Sequence, residues 1–236
     1  MERGTFWKGG SMASLSHPHW EALTPDTMQA FQHVRRLPFI RSFYLAGGTG
    51  LALHLGHRFS IDLDFFSPDI SAVGPDQRDA LRILLDDPSL IIIYDKDGTF
   101  GATWRDVGVS FFRLTLYPLV QEPLLVEGIH LATLQEIGAM KLAAIIDRGT
   151  RKDMVDLYYI LQSITLEEIF KVAAVKYAHV YSFPVSAVRA LAYFTDAESL
   201  PMPRMLDRTS WSKIKKFLEG QAMETGRMRL ADLWKT

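Results

Sequence analysis

Tyr44 to Ser67 reads YLAGGTGLALHLGHRFSIDLDFFS, and the order of its parts decides the fold. Ser42 to Ala46 is a short aromatic and apolar run that stops at Gly47-Gly48, the pattern of a strand entering a tight turn. In Thr49 to Leu55, residues Leu51, Ala52 and Leu55 fall on one helical face, and Gly56 suits the C-terminal cap. Ser60 to Phe66 then alternates as a strand does, with Ile61, Leu63 and Phe65 on one face and Asp62, Asp64 and Phe66 on the other. Two neighbouring carboxylates repel each other unless a cation offsets the charge. Mg²⁺ does so with oxygen ligands at about 2.0–2.1 Å and keeps positions open for substrate phosphates. Taken alone, the pair is better read as two wet acids on an edge strand. Gly47-Gly48-Thr49 changes those odds. It reads either as a tight turn with Thr49 as N-cap or as a phosphate cradle, since glycine lets an anion approach the backbone at a helix start. The later Gly or Gly-Lys of a dinucleotide fingerprint or a P-loop is missing. A phosphate cradle followed closely by paired acids suits a nucleoside triphosphate (NTP) carried with Mg²⁺.

Working outward, Thr24 to Arg36 reads as a first helix, with Thr24 as N-cap and Pro25 at the first helical position. Asp76 to Asp87 reads as a surface helix. Leu90 to Tyr94, Phe100 to Trp104 and Val107 to Leu116 read as strands, with Asp97-Gly98 as a hairpin turn between the first two. From Thr133 onward the period is helical. Thr133 with Glu136, Thr150 with Asp153 and Thr165 with Glu168 spell capping boxes, Pro184 opens another helix, and Ser210 to Gln221 reads as a last one. These readings divide the chain into a loose Gly- and Ser-containing leader over 1–19, a mixed α/β part over 20–130 and an all-helical part over 131–236, with Met12 as an alternative start.

The formal net charge of −1 gives no global basic field for nucleic acid, although a local groove remains open to such a chain. With no cysteine, disulfides and thiolate metal sites are excluded, which fits a cytoplasmic protein. No apolar run reaches the roughly 18–20 residues that span a bilayer, so no membrane partner is expected. His54 and His57 read as structural or phosphate-proximal rather than as zinc ligands. Phe111, Phe112 and Tyr117 read as core, and Lys213, Lys215 and Lys216 as a wet helix face that is the best candidate for a nucleic-acid contact.

Downstream, Leu134, Gly138, Lys141 and Ile145 share a helical face, so Lys141 either snorkels past the core edge or points at an anion. Asp153 reads as a capping residue or as a site carboxylate. Asp156, one turn on, has no capping role. Either is a candidate metal ligand or general base. Arg148, Arg151 and Lys152 read equally as phosphate contacts or as a solvated helix start.

The stretch Tyr44 to Ser67 closely resembles the abortive-infection nucleotidyltransferase toxins of the AbiEii/AbiGii type, within the polymerase-β-like nucleotidyltransferase superfamily. Their Gly-Gly/Ser, helix, D-x-D motif falls on Gly47, Gly48, Thr49, Asp62 and Asp64, and their G-H-R-x-S on Gly56, His57, Arg58 and Ser60. A helix lysine followed by R-x-x-K-D-x-x-D-L matches Lys141, Arg148 one position out of step, and Arg151 to Leu157. The resemblance covers roughly residues 20 to 162. It implies an α+β fold: a polymerase-β-like core with a mixed sheet flanked by helices, then an all-helical C-terminal half that completes the active site. It implies a cytoplasmic toxin, paired with a separate antitoxin protein, that transfers NMP from an NTP, with tRNA as acceptor in some members. Asp62 and Asp64 would hold Mg²⁺, or Mn²⁺ in its place. Gly47, Gly48, Thr49, Arg58, Lys141 and Arg148 would bind nucleotide or phosphate, and Lys141, Asp153 and Asp156 would join the two acids in catalysis. Ser110 departs from the pattern, because many members of the superfamily carry a third metal carboxylate on a later central strand. In the toxin family, the resemblance implies that the downstream lysine and an acid of the K-D-x-x-D string complete the site instead. Two further readings stand beside this one: nucleotidylation of a protein or small-molecule hydroxyl, and a non-catalytic nucleotide-binding module of the same fold.

Overall fold

The computed structural model describes residues 13–84 and 88–227. The first twelve positions of the expected leader, the end of the helix expected to reach Asp87, and positions 228–236 lie outside the described residues. The chain divides between Thr133 and Leu134 into two compact units.

In the first unit, strands β1 (Tyr44–Ala46), β2 (Leu63–Ser67), β3 (Ile91–Lys96), β4 (Thr99–Trp104), β5 (Val107–Arg113), β6 (Leu124–Val126) and β7 (Ile129–Leu131) form one sheet in the order β3-β4-β5-β2-β1-β7-β6. The sheet is mixed: β2 runs parallel to β5 and β1 to β7, while β1–β2, β3–β4, β4–β5 and β6–β7 are antiparallel. Helices α1 (Pro25–Val34), α2 (Gly47–Leu55) and α3 (Pro75–Leu84) accompany it. Alternation sets the two faces of the sheet. Leu45, Leu63, Phe65, Phe100, Ala102, Val109 and Phe111 turn into a core shared with Ala30, Phe31 and Val34 of α1 and Ala52 and Leu53 of α2. Phe65 stacks on Phe111 at 4.8 Å between ring centroids. The opposite face carries Asp64, Phe66, Ser110 and Phe112, all half-buried.

Several expected boundaries move for identifiable reasons. Thr24 caps α1 by accepting a hydrogen bond from the Thr27 amide at 3.2 Å, as its spelling predicts. Residues Ile40–Ser42 form a 3-10 turn, so β1 is shorter than the aromatic run. Helix α2 starts at Gly47, not Thr49, with Ala46 at the N-cap and no side-chain cap; Gly56 closes it in the left-handed conformation at φ 58°. β2 starts at Leu63 rather than Ser60, because Ser60 pairs with Leu23 outside the sheet ladder. Ile61 is therefore exposed rather than core-facing. Of the three aromatics expected in the core, Phe111 is buried while Phe112 and Tyr117 are only half-buried. The hairpin β6–β7 has no counterpart in the sequence reading; Glu127 and Gly128, both with positive φ, make its turn. Ala13 to Leu15, expected to be loose leader, are bonded to Leu125 of β6.

The second unit is helical: α4 (Leu134–Asp147), α5 (Arg151–Ile160), α6 (Leu166–Lys176), α7 (Phe183–Ala190), a short α8 (Thr195–Glu198) and α9 (Trp211–Arg227). Gly138 lets α4 approach α6 closely, since a Cβ there would stand 2.9 Å from Ile169. Thr165 and Glu168 form the full capping box. Thr133 and Glu136 do not act as a box: the Thr133 hydroxyl turns to Gln121 at 2.5 Å, and Glu136 is buried against Lys176 at 3.1 Å. Among the described residues, no helix is long and apolar enough to cross a membrane.

Candidate active site

The loop before β2 carries Asp62, and β2 itself carries Asp64. Asp64 sits opposite Ala46 of β1 and Ser110 of β5. Each carboxylate lies against a glycine. A Cβ on Gly47 would stand 2.6 Å from Asp64 Oδ2, and one on Gly108 would stand 2.6 Å from Asp62 Oδ1. Gly47 also has φ +63°, a left-handed conformation that favours glycine. Asp62 is exposed and Asp64 half-buried.

The start of α2 adjoins Asp64 through Gly47. With no side-chain cap there, its first amides are available to an anion, and the helix dipole adds positive potential. Arg58 is buried behind it: its guanidinium lies 2.6 Å from where a Gly48 Cβ would be, and it donates to the Phe59 carbonyl at 2.9 Å. Thr49 turns its hydroxyl inward. It is fully buried, its hydroxyl is bonded to the Asp62 carbonyl and lies 2.9 Å from the Ser60 hydroxyl, and so it braces the loop that presents Asp62. His54 is likewise structural, with Nε2 at 2.8 Å from the Ala132 carbonyl. Burial lowers its pKa, and the carbonyl contact only partly opposes this.

The donor set fits a small hard cation. Two carboxylates beside an anion-accepting helix start leave coordination positions for water and phosphate oxygens, as Mg²⁺ requires. Among the described residues no third His, Asp or Glu joins them, and Ser110 stands beside Asp64. The structure adds residues that the sequence reading passed over. Gly108 clears space for Asp62, and Tyr94 reaches Ser110 with its hydroxyl at 3.0 Å.

The helical unit gathers the downstream candidates around two buried acids, with Arg148 at the exposed edge. Lys141 Nζ lies 2.9 Å from Asp153 and 2.6 Å from Asp156, and both acids are fully buried. Arg148 bonds Asp153 at 3.0 Å, and Thr150 donates to it at 2.5 Å while capping α5. Burial pushes the Asp153 carboxyl up, but Lys141, Arg148 and Thr150 outweigh it and hold the pKa at about 2. Arg151 is not a free phosphate contact. It donates to the Ala197 and Glu198 carbonyls at 2.9 Å and stacks over Trp211, tying α5 to α8 and α9.

A profile of the nucleotidyl transferase AbiEii toxin family, type IV toxin–antitoxin system, matches residues 30–114 and 103–232. An uncharacterized protein of Aquifex aeolicus is 30% identical over 208 residues, covering 86% of this chain and 97% of its own length. Among solved structures, MenT4, a nucleotidyltransferase toxin of Mycobacterium tuberculosis, superposes with a TM-score of 0.59 at 17% identity, over 88% of this chain and 85% of that one. A candidate nucleotidyltransferase from H. pylori reaches a TM-score of 0.50 at 18% identity, over 89% of this chain and 97% of its own. At these identities the two structures speak for the fold.

Proposed function

From the premise that this chain belongs to the nucleotidyl transferase AbiEii toxin family, we propose that it moves a nucleoside monophosphate from an NTP to an acceptor hydroxyl, tRNA being the first acceptor to test. The observation that carries this reading is the seating of Asp62 and Asp64 on Gly108 and Gly47, with Gly47 opening an uncapped helix. Asp62 and Asp64 would hold Mg²⁺, or Mn²⁺ in its place. When bound, that ion would polarise the phosphate oxygens and offset the charge of the leaving pyrophosphate. The amides of Gly47, Gly48 and Thr49 bind the phosphates, and buried Arg58 adds positive potential behind them. The acceptor oxygen forms a bond to the α-phosphorus, the bond to the bridging oxygen breaks, and pyrophosphate leaves with that electron pair.

Lys141, Arg148, Asp153 and Asp156 enter the proposal on the sequence match. Lys141 and Arg148 would oppose phosphate charge, and one of the acids would accept the proton of the acceptor hydroxyl. As a member of a type IV toxin–antitoxin family, the protein would act in the cytoplasm and be countered by a separate antitoxin protein.

The test is to incubate the purified chain with each labelled NTP, Mg²⁺ and total tRNA, and to repeat it with Asp62→Ala plus Asp64→Ala. Transfer that disappears in the double variant supports the site; transfer that survives removes it. Label arriving on added protein or aminoglycoside instead of tRNA reassigns the acceptor. Metal-dependent nucleotide binding without turnover points to a binding module.

A further inference from the structure

Four residues line up across the sheet on the face that bears Asp64. Register places Asp64 of β2 beside Ser110 of β5, Ser110 beside Gly101 of β4, and Gly101 beside Tyr94 of β3. Tyr94 reaches this face by a register that runs unbroken from the Asp97-Gly98 turn, with Lys96 beside Thr99, Asp95 beside Phe100 and Tyr94 beside Gly101. Ile92 pairs with Ala102 and Tyr94 with Gly101, so Ile93 is an extra residue on its strand. Gly101 completes the arrangement. The Tyr94 ring lies directly over it, in the volume a Cβ would take, and the phenol crosses to within 3.0 Å of Ser110 Oγ. Phe112 flanks the same ring at 6.2 Å.

Whichever hydroxyl of the pair donates, a second O–H and spare lone pairs remain for an outside partner. A serine hydroxyl alone rotates freely; one bonded to a packed phenol is held in direction. We propose that Tyr94 is a positioning residue for the acceptor, acting through Ser110: it fixes the Ser110 hydroxyl beside Asp64, where that hydroxyl binds the incoming acceptor hydroxyl. The inference rests on the nucleotidyl-transfer reading and names the part of that site that orients the nucleophile. Such alignment governs the chemical step strongly, since a misplacement of about 1 Å can cost about a hundredfold in rate.

Two variants disturb the pair by independent routes. Tyr94→Phe keeps the ring on Gly101 and removes the hydroxyl; Gly101→Ala keeps the tyrosine and displaces its ring. With labelled NTP, Mg²⁺ and the acceptor that the wild type labels, both should lower kcat/KM for the acceptor about tenfold or more, with KM for the NTP nearly unchanged. Ser110→Ala should match them, Ser110→Thr should recover most of the loss, and Tyr94→Phe should add little on top of Ser110→Ala. An active wild type whose Tyr94→Phe variant is unimpaired, or a loss that falls on KM for the NTP, overturns the inference alone. A wild type that labels no tRNA, protein or aminoglycoside overturns the underlying reading and this inference with it. Tyr94→Phe preserves the packing, so it keeps the test decisive even if Gly101→Ala folds poorly.

Discussion

Replacing Lys141 by methionine should unfold the helical unit more readily, and the pH at which it does so identifies the cause. The substitution keeps length and apolar contact but removes the ammonium bonded to Asp153 and Asp156, both of which have no exposed side-chain surface. Breaking a buried pair by deleting one partner costs about 3–5 kcal/mol. Asp153 keeps Arg148 and Thr150, so the lower end of that range applies. In the wild type, Asp153 is held at about 2 instead of 3.8, a difference that stabilises the fold by about 2 kcal/mol above the unfolded carboxyl's pKa. That contribution disappears as pH falls through the folded value. In the variant, burial acts on Asp153 with less opposition and raises its carboxyl, so acidification relieves the loss. The gap between the two proteins should therefore be widest near neutral pH and narrow towards about pH 4.5. Urea unfolding of both at those two pH values measures it. Adding Asp153→Asn and Asp156→Asn to Lys141→Met should recover much of the loss. A variant as stable as wild type at neutral pH, or a gap that widens on acidification, would refute this electrostatic account. Full stability combined with lost transfer would leave Lys141 with the chemical role alone.

Two further outcomes concern the paired acids. Gly47→Ala places a Cβ 2.6 Å from Asp64 Oδ2 in a left-handed backbone conformation, which costs about 1–2 kcal/mol. Isothermal titration should show weaker Mg²⁺ binding than in the wild type; equal affinity would separate Gly47 from the site. Thr49→Val removes the buried hydroxyl bonded to the Asp62 carbonyl and should cost about 1–3 kcal/mol in stability, with KM for the NTP little changed. A raised KM at unchanged melting temperature would instead give the Thr49 hydroxyl a part in phosphate binding beside the amide.

The segment from Tyr44 to Ser67 was readable because its signals are local. Glycines, a short apolar helix face and alternating acids lie within one turn or strand of each other. The first-unit elements expected downstream also formed, with shifted ends. What the sequence could not display depends on partners far along the chain. β2 starts late because Ser60 is drawn to Leu23. Glu136 leaves its capping position for Lys176, forty residues away. The β6–β7 hairpin has three-residue strands and puts Glu127 at positive φ, so neither length nor turn residues announce it. The contact of Tyr94 with Ser110 was invisible because it joins residues sixteen apart across a third strand, over Gly101.

The pairing of Ser14 with Leu125 closes the outer side of β6 using residues more than a hundred positions upstream. Joining chain so widely separated is slow, because ring closure must precede any gain. We expect this border to be among the last parts of the sheet to form. Two backbone bonds and a single bridge hold it, so amide exchange at Leu15 and Leu125 should run ahead of the central strands, and equal protection there would refute this expectation.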